Sequence, residues 1–427
     1  MSDGKHESSR IKQNPVASII GNVLEWYDFA VFGYLAPIIS QQFFPSEDKL
    51  AGLIKTFAVF AIGYIIRPLG GIIFGQIGDR YGRKKALIAS VAMMAIPTTL
   101  VGCLPTYAYA GILAPVLMLI LRILQGFSVG GELIGSISYL VEVAPPNRRG
   151  YLGSWSLFSA VAGILLGSIA GVLVHSILPE AALQAWGWRL PFLAGLFIGL
   201  AGVWMRRSMV ESPEFLEAVK AGQIQKAPVI EALRTAPGRI LQVLLMNMVM
   251  GTGLYMLFLW MPTYLQNILH PPVPHALMIN SAAMLLLIWV MPCAGRLSDK
   301  IGRKPILLTA ALGMGITVYP LFLLIDKGNP WIIFAAQCIF ALWVGALYGV
   351  MPATMGELFP ANIRYSAMGL GYNVAFAFFC GTAPMVSTYL IKTTGILTAP
   401  AVYLIILVAI GLPAYILLKS GITHDRQ

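Results

Sequence analysis

Long apolar stretches, separated by short polar ones, run from about residue 16 to residue 419. Each has about 20 residues or more, the length that an α-helix needs to cross a hydrocarbon layer of about 30 Å. None shows the alternation of a β-barrel strand, and only helices or closed barrels satisfy their backbone groups within lipid. The pattern predicts twelve transmembrane helices, at residues 16–43, 52–77, 86–105, 110–143, 151–178, 189–207, 239–268, 277–297, 305–325, 330–357, 365–391 and 398–419.

The predicted helices form two sets of six, with a longer polar segment between them. The fold expected is therefore an all-α membrane protein with two pseudo-symmetric six-helix halves. The first apolar stretch is too long for the core of a signal peptide, so we interpret it as a membrane span. The expected parts are a disordered cytoplasmic tail at 1–15, an N-terminal half at 16–207, a cytoplasmic central loop at 208–238, a C-terminal half at 239–419 and a short cytoplasmic tail at 420–427.

Composition and charge agree with a membrane protein. Hydrophobic residues make up 58% of the chain and charged residues 11%, with a mean hydropathy of +0.77, whereas soluble domains have about 25% charged residues. Of the 29 Lys and Arg residues, four lie in loops on one side, three lie inside helices, and the rest lie on the side of the termini. This asymmetry predicts that both termini are cytoplasmic. It also accounts for the net charge of +11 without a nucleic-acid partner; a lipid bilayer is the expected surrounding, and a monomer the default.

Two charged signatures recur in the two halves. Residues 75–85 read GQIGDRYGRKK and residues 295–305 read GRLSDKIGRKP, each after the second helix of its half. A glutamate followed seven residues later by an arginine recurs at nearly the same offset. Two signatures at one offset indicate duplicated halves, a design in which the substrate site lies between the halves near the membrane midplane.

The charges of these signatures predict a network that closes the cytoplasmic side. The aspartates lie near helix ends, where each can cap a neighbouring helix or pair with a base. The alternative is that the charges only set the topology, but partnered acids in two copies favour a network. The candidate gate residues are Asp79, Arg80, Arg83, Glu142, Arg149, Asp299, Arg303, Glu357 and Arg364.

These loop signatures resemble those of the major facilitator superfamily, and further stretches resemble its metabolite:proton symporter family. That family includes bacterial carriers of proline and betaine, α-ketoglutarate, citrate and shikimate. The resemblance implies a twelve-helix fold, alternating access and proton-driven uptake across a bacterial inner membrane, with no cofactor besides the proton gradient. The stretches are NVLEWYDF (22–29), IIRPLGGIIFG (65–75), RILQGFSVGGE (122–132), RRGYLGSW (148–155) and WGWRLPF (186–192).

Five charged residues lie inside predicted helices of the first half: Glu25, Asp28, Arg67, Arg122 and Glu132. Each costs about 2.5–3.5 kcal/mol to insert and usually marks a pathway or a relay. Glu25, Arg67 and Glu132 lie about 15 Å from the cytoplasmic helix ends, near the midplane, and Arg122 lies farther out. We expect the five residues to couple proton movement to transport, with Asp28 or Glu132 as proton carrier and Arg67 as its partner. The alternative is a permanent ion-pair network that holds the helices together.

The glycines of RILQGFSVGGE are spaced for helix contact. Gly126 and Gly130 lie four residues apart on one face, which lets a neighbouring helix approach closely. The resemblance suggests a coupling role for Arg122 in the same stretch. Packing alone remains an equal alternative for the glycines.

Aromatic residues are the main candidates for solute contact in the second half. Aromatic faces attract a quaternary ammonium or a prolinium group, although most membrane aromatics only pack or anchor at interfaces. The excess of acids over bases favours a zwitterion such as proline or betaine, and YMLFLWMPTYL (255–265) resembles the proline/betaine branch. An organic acid remains the alternative. The candidate substrate-binding residues are Tyr27, Arg67, Arg122, Tyr255, Trp260, Trp343, Tyr348 and Asn373.

Other function classes find less support. The sequence has no P-loop signature, which disfavours ATP as the energy source. It also has no metal-ligand spacing and no nucleophile–base arrangement, so neither a metal nor an enzyme activity is expected. An exporter or a transporter-like sensor remains a remoter alternative. The sequence ends at Gln427 without the long charged tail that some proline/betaine carriers have for osmotic regulation, which argues against osmosensing and weakens the assignment to that branch.

Overall fold

The computed structural model describes residues 15–73, 83–130, 132–207, 228–360 and 363–418, and within them the regular structure is helical. A helix lies near each of the twelve predicted positions. The helices are α1 (Pro15–Tyr34), α2 (Lys49–Ile73), α3 (Arg83–Cys103), α4 (Leu113–Ser128, continued by Glu132–Val143), α5 (Arg149–Ile177), α6 (Leu190–Arg207), α7 (Pro237–Ile268), α8 (Ala276–Ile301), α9 (Arg303–Ile325), α10 (Pro330–Leu358), α11 (Arg364–Thr394) and α12 (Ala399–Ile416).

Nine helices of the described part are long and apolar enough to cross a membrane: α2, α4, α5 and α7 to α12. Helices α3 and α6 contribute shorter apolar segments, and α1 has 20 residues that include two acids. Short helices occur at Ala36–Phe43, Tyr107–Ala110, Glu180–Ala185 and Pro228–Thr235.

Several helix ends have clear local causes. The Asp48 carboxylate accepts hydrogen bonds from the backbone N–H groups of Leu50 and Ala51 and so caps α2. Asn329 caps α10 in the same way, with Pro330 in the first turn. Gly302 joins α8 to α9 with a φ of 92°, which only glycine adopts readily. This glycine lies within the second charged signature, at residues 295–305.

The halves pack internally and against each other through defined helix pairs. In the first half, α1 packs on α5, α3 on α6 and α2 on α4; in the second, α10 packs on α8 and α9, and α7 on α11 and α12. Between the halves, α5 packs on α8 and α10, and α2 on α11. A Cβ on Gly126 would lie 2.2 Å from the Gly63 carbonyl oxygen, so the predicted close packing on α4 is confirmed.

Large apolar side chains cover the outer surface of the bundle. Phe197 is 74% exposed, Trp204 76%, Trp289 70% and Ile316 71%. Soluble proteins rarely expose apolar surface on this scale. Such a surface suits contact with lipid chains.

Turns of π-helix interrupt α7 and α11. They span Tyr255–Trp260 and Tyr264–Ile268 in α7 and Phe376–Cys380 in α11. Such turns re-aim side chains and occur often at functional sites. Here they turn the rings of Tyr255 and Phe376 toward Trp26 of α1.

Candidate functional site

Two buried ion pairs lie at the centre of the first half. A terminal nitrogen (Nη2) of Arg67 lies 2.9 Å from Glu25 Oε1, and Arg122 Nη1 lies 3.4 Å from Asp28 Oδ2. All four residues are at most 5% exposed. Helix α1 therefore carries both carboxylates, while α2 and α4 each supply one guanidinium. Because removing such charges from water costs several kcal/mol each, they persist here only as pairs.

The pairing differs from the sequence-based expectation in one respect. Arg67 was expected to be the partner of a proton-carrying Asp28, but it pairs with Glu25. Glu25 and Asp28 lie three residues apart, about 4.5 Å along the helix. The Arg67 guanidinium of α2 reaches Glu25. Asp28 meets α4 instead. The side chain of Glu132, the other expected carrier, lies outside the described part.

Asp28 has a second polar neighbour on α4. Gln125 Nε2 donates to Asp28 Oδ2 at 2.8 Å and to the Thr98 hydroxyl at 2.9 Å. The other carboxylate oxygen of Asp28, Oδ1, is buried and has no hydrogen-bond partner among the described residues. The Phe32 ring centre lies 3.8 Å from the guanidinium carbon of Arg122. Asp28 is thus a buried carboxylate with one oxygen available.

Aromatic rings surround the guanidinium of Arg67. Its carbon lies 4.7 Å from the ring centre of Tyr64, 5.2 Å from that of Trp26, 5.5 Å from that of Phe29 and 5.9 Å from that of Phe376. Two of its nitrogens, Nε and Nη1, have no hydrogen-bond partner within the described residues. The arrangement offers free N–H donors for an anionic group beside aromatic faces for a cationic one.

Several predicted solute contacts lie in this region. The Tyr255 hydroxyl of α7 shares a hydrogen bond with that of Tyr64 on α2, across the two halves. Tyr348 of α10 is within electrostatic range of Arg67, and its buried hydroxyl has no partner in the described part of the chain. Asn373 of α11 donates to the Gly130 carbonyl at 2.9 Å, again across the halves.

Three predicted contacts point elsewhere. The Tyr27 hydroxyl donates to the Pro191 carbonyl of α6 at 3.0 Å, and Trp260 Nε1 donates to Thr388 of α11 at 2.9 Å. Trp343 packs its ring on α9, where a Cβ at position 313 would lie 2.8 Å from it. In this structure these side chains fill space between neighbouring helices of one half rather than line the region around Arg67, because of the helix faces on which they lie.

Sequence reasoning missed five residues of this site: Trp26, Phe29, Phe32, Tyr64 and Gln125. A signal was present for most of them, since the first three lie in or beside NVLEWYDF. Tyr64 and Gln125 each lie three residues from a buried arginine, a spacing that puts two side chains on one helix face. Aromatic and amide side chains beside a buried charge are therefore candidates in their own right.

The second-half gate has the predicted pairs and one additional contact. Arg303 lies 2.8 Å from Asp299 and 2.9 Å from Glu357, as expected. The Asp299 carboxylate also accepts the backbone N–H groups of Gly150 and Tyr151, at 2.7 and 2.9 Å. An aspartate of α8 thus caps the N-terminus of α5 in the other half, as a helix dipole favours.

The remaining gate predictions are less complete. Arg364 donates to the Phe359 carbonyl at 3.3 Å. Arg149 lies at the start of α5 and is partly buried. The acids predicted to pair with Arg83 and Arg149 are Asp79 and Glu142. Asp79 and Arg80 lie outside the described residues, as do the side chains of Arg83 and Glu142. The pairing in the first copy therefore stays a prediction.

A salt bridge joins the halves at the opposite end. Lys392 of α11 lies 2.8 Å from Asp48, which precedes α2. The hydrogen bond from Lys392, together with the backbone N–H of Ala51, lowers the pKa of the Asp48 carboxyl below its usual range. Contacts between the halves therefore exist at both ends of the bundle.

Comparison with known proteins decides the family. The model of the "Sugar (and other) transporter" family matches residues 14–244, and that of the "Major Facilitator Superfamily" matches residues 243–425. The chain belongs to the major facilitator superfamily. It is thus a membrane transporter, as the sequence resemblance implied.

Several similar members of the superfamily are transporters with a named solute. The chain is 36% identical to a glycine betaine/proline/ectoine/pipecolic acid transporter of Dickeya dadantii and 34% identical to a proline/betaine transporter of Escherichia coli, over 97% of this chain and 84% of each relative. The partially occluded inward open structure of the xylose transporter XylE from E. coli has a TM-score of 0.75 at 20% identity, over 94% of this chain and 95% of that one. This similarity confirms the major facilitator fold.

The ion pair on α2 leads to a stability prediction. Arg67→Met removes the guanidinium that lies 2.9 Å from the buried Glu25. Breaking a buried pair costs about 3–5 kcal/mol, so we expect a clearly lower unfolding temperature in detergent. The control is Lys55→Met on the same helix, because Lys55 is exposed. Equal unfolding temperatures for the two variants would contradict a stabilising pair.

Proposed function

We propose that this transporter carries a zwitterionic osmolyte such as proline or glycine betaine into the cell, together with protons. The observation that carries the proposal is the environment of Arg67, where two N–H groups have no partner within the described residues and lie among aromatic rings. The guanidinium suits the carboxylate of such a solute, and the rings of Trp26 and Tyr255 suit its ammonium group. The printed names of the relatives, proline/betaine transporters, support the same solute class.

Proton coupling is assigned to the second ion pair. Asp28 is 2% exposed, its Oδ1 has no hydrogen-bond partner in the described part of the chain, and its contact with Arg122 is 3.4 Å long. A carboxylate that is weakly paired and buried is the one most easily neutralised by a proton. Asp28 is our proposed carrier, and Glu132 is the next candidate. The solved structures with this fold include a proton:xylose symporter, which supports the general scheme.

The proposed cycle alternates between the two ends of the bundle. The Lys392–Asp48 bridge separates when the outer end opens, and solute and proton reach Arg67 and Asp28. The hydrogen bonds of Asp299 to the N-terminus of α5 separate when the inner end opens. Because both ends hold contacts between the halves, each opening requires one set to break while the other holds.

The proposal includes the orientation of the chain. The excess of Lys and Arg on the side of the termini supports a cytoplasmic location for both termini and for the loop at 208–238. The protein then spans the inner membrane of a bacterium as two six-helix halves, at 16–207 and 239–419, and works as a monomer with no cofactor besides the proton gradient.

The test is solute-induced pH change in liposomes. Purified protein is reconstituted with a pH dye inside, and proline, glycine betaine, α-ketoglutarate, citrate and shikimate are added outside one at a time. We expect lumenal acidification with proline or glycine betaine and not with the organic acids. Protein-free liposomes give the background.

Other outcomes would redirect the proposal. Acidification with an organic acid only would favour the organic-acid symporter. Accumulation driven by a sodium gradient without pH change would refute proton coupling. Silence with every solute would refute the solute class and favour the exporter or sensor.

A further inference from the structure

Gln125 is a buried amide in direct contact with the proposed proton carrier. It lies on α4, one turn after Arg122, and is 0% exposed. Both hydrogens of its Nε2 group are used, one toward Asp28 Oδ2 at 2.8 Å and one toward Thr98 Oγ1 at 2.9 Å. The Thr98 hydroxyl in turn donates to the Met94 carbonyl at 2.8 Å. A chain of hydrogen bonds thus joins α1, α4 and α3.

Two oxygens of these hydrogen-bonded side chains have no partner within the described residues. They are Gln125 Oε1 and Asp28 Oδ1. Leaving a buried polar atom unpaired is costly, so each such atom requires an explanation. An ionised Asp28 cannot donate to the amide oxygen. A protonated Asp28 can, because its carboxyl then has an O–H donor.

We propose that Gln125 is a positioning residue that changes its hydrogen bond with Asp28 when the proton binds. This inference rests on the proposed proton coupling. In the ionised state the amide N–H donates to the carboxylate. When a proton forms an O–H bond on Asp28, the amide turns about its terminal bond, the N–H···O bond breaks, and Oε1 accepts the new O–H. The two N–H groups of Nε2 then lose Asp28 and Thr98 as acceptors and occupy the former position of Oε1, where the described residues offer no partner. The Thr98 hydroxyl then turns from Met94 to Oε1.

The consequence is that α3 senses the protonation of α1. The ionised state has a hydrogen bond to a charged group, which is stronger than the neutral bond of the protonated state. Gln125 therefore favours ionised Asp28 and promotes release of the proton. Among the described residues, the titratable and charged groups that also face this region are Arg122 on α4, Glu25 and Tyr27 on α1, and Arg67 and Tyr64 on α2.

The test compares the pH dependence of uptake in three variants. Gln125→Met removes donor and acceptor at similar size, and we expect the midpoint of the pH profile to move up by about one to two pH units, since a hydrogen bond to a charged group is worth a tenfold to hundredfold change. Thr98→Val removes the second anchor of the amide and the hydroxyl next to Asp28, so a shift in the same direction is expected. The control is Asn22→Leu, a buried amide of α1 that donates to Ser136 at 2.9 Å and should not move the midpoint.

An infrared titration separates this inference from the function itself. The carbonyl band of protonated Asp28, assigned by its loss in Asp28→Asn, can be titrated without any transport. A higher midpoint in Gln125→Met supports the inference even if no solute drives protons. An unchanged midpoint in both measurements, or an equal shift in Asn22→Leu, would overturn it and leave Gln125 a packing residue.

Discussion

Asp28→Asn is expected to abolish solute accumulation while solute exchange continues. The substitution keeps the size of the side chain and a hydrogen-bond acceptor for Gln125, but it removes the group that takes up the proton. With one proton per solute, a pH gradient of one unit supports about tenfold accumulation, because one unit corresponds to 1.36 kcal/mol. The variant should reach only equal concentrations inside and outside.

The measurement uses liposomes with radiolabelled glycine betaine and an imposed pH gradient, followed by exchange against unlabelled solute. Glu25→Gln is the matched control, since it removes the neighbouring carboxylate of α1 and leaves Asp28 in place. We expect accumulation to persist in this control at a reduced rate. Tenfold accumulation by Asp28→Asn would exclude Asp28 as carrier and make Glu132 the next residue to test.

Gly150→Ala is expected to prevent closure at the gate. A Cβ at this position would lie 2.4 Å from the Gly295 carbonyl oxygen and 2.5 Å from Ser298 Oγ. Gly295 is crowded in return, since its own added Cβ would lie 2.5 Å from the Gly150 carbonyl oxygen. Overpacking of this kind costs about 1–3 kcal/mol, and here it would destabilise the closed gate. Each 1.4 kcal/mol lowers the population of the closed state about tenfold. We therefore expect uptake to fall about tenfold to a hundredfold.

The state of the gate can be measured directly. Ser154 is buried and lies against Gly295, so a cysteine introduced by Ser154→Cys should react with a thiol reagent only when α5 separates from α8. Gly150→Ala should raise that reaction rate. Gly238→Ala is the control, because an added Cβ there meets nothing within 4 Å. Unchanged labelling and uptake in Gly150→Ala would show that this crossing does not control opening.

The helices and the buried charges could be predicted from sequence because both depend on one-dimensional information. Apolar length locates a membrane helix, and counting from its end gives the depth of a residue. Glu25 and Arg67 were assigned equal depth in this way, and the structure pairs them. The sequence predicted only that Asp299 could cap some neighbouring helix. Counting residues from a helix end does not show which helix lies beside Asp299.

The directions of side chains could not be predicted in the same way. Trp343 and Tyr348 lie five residues apart on α10, and at 3.6 residues per turn they face about 140° apart. Which of them turns toward Arg67 depends on the rotation of α10, and this is set by its packing on α8, α9 and α5. The same limit explains why Tyr27 faces α6 although its neighbours in sequence reach the arginines.

The pairing of the buried charges has an electrical consequence. Two carboxylates and two guanidiniums cancel within the described centre of the molecule, and a zwitterionic solute adds no net charge. With Glu132 neutral, a proton on Asp28 leaves one uncompensated positive charge at this centre in the loaded carrier, whereas the empty carrier has none there. The loaded step would be drawn inward by a membrane potential that is negative inside, with about 2.3 kcal/mol per 100 mV for each charge. The voltage would therefore act on the loaded step and not on the return of the empty protein.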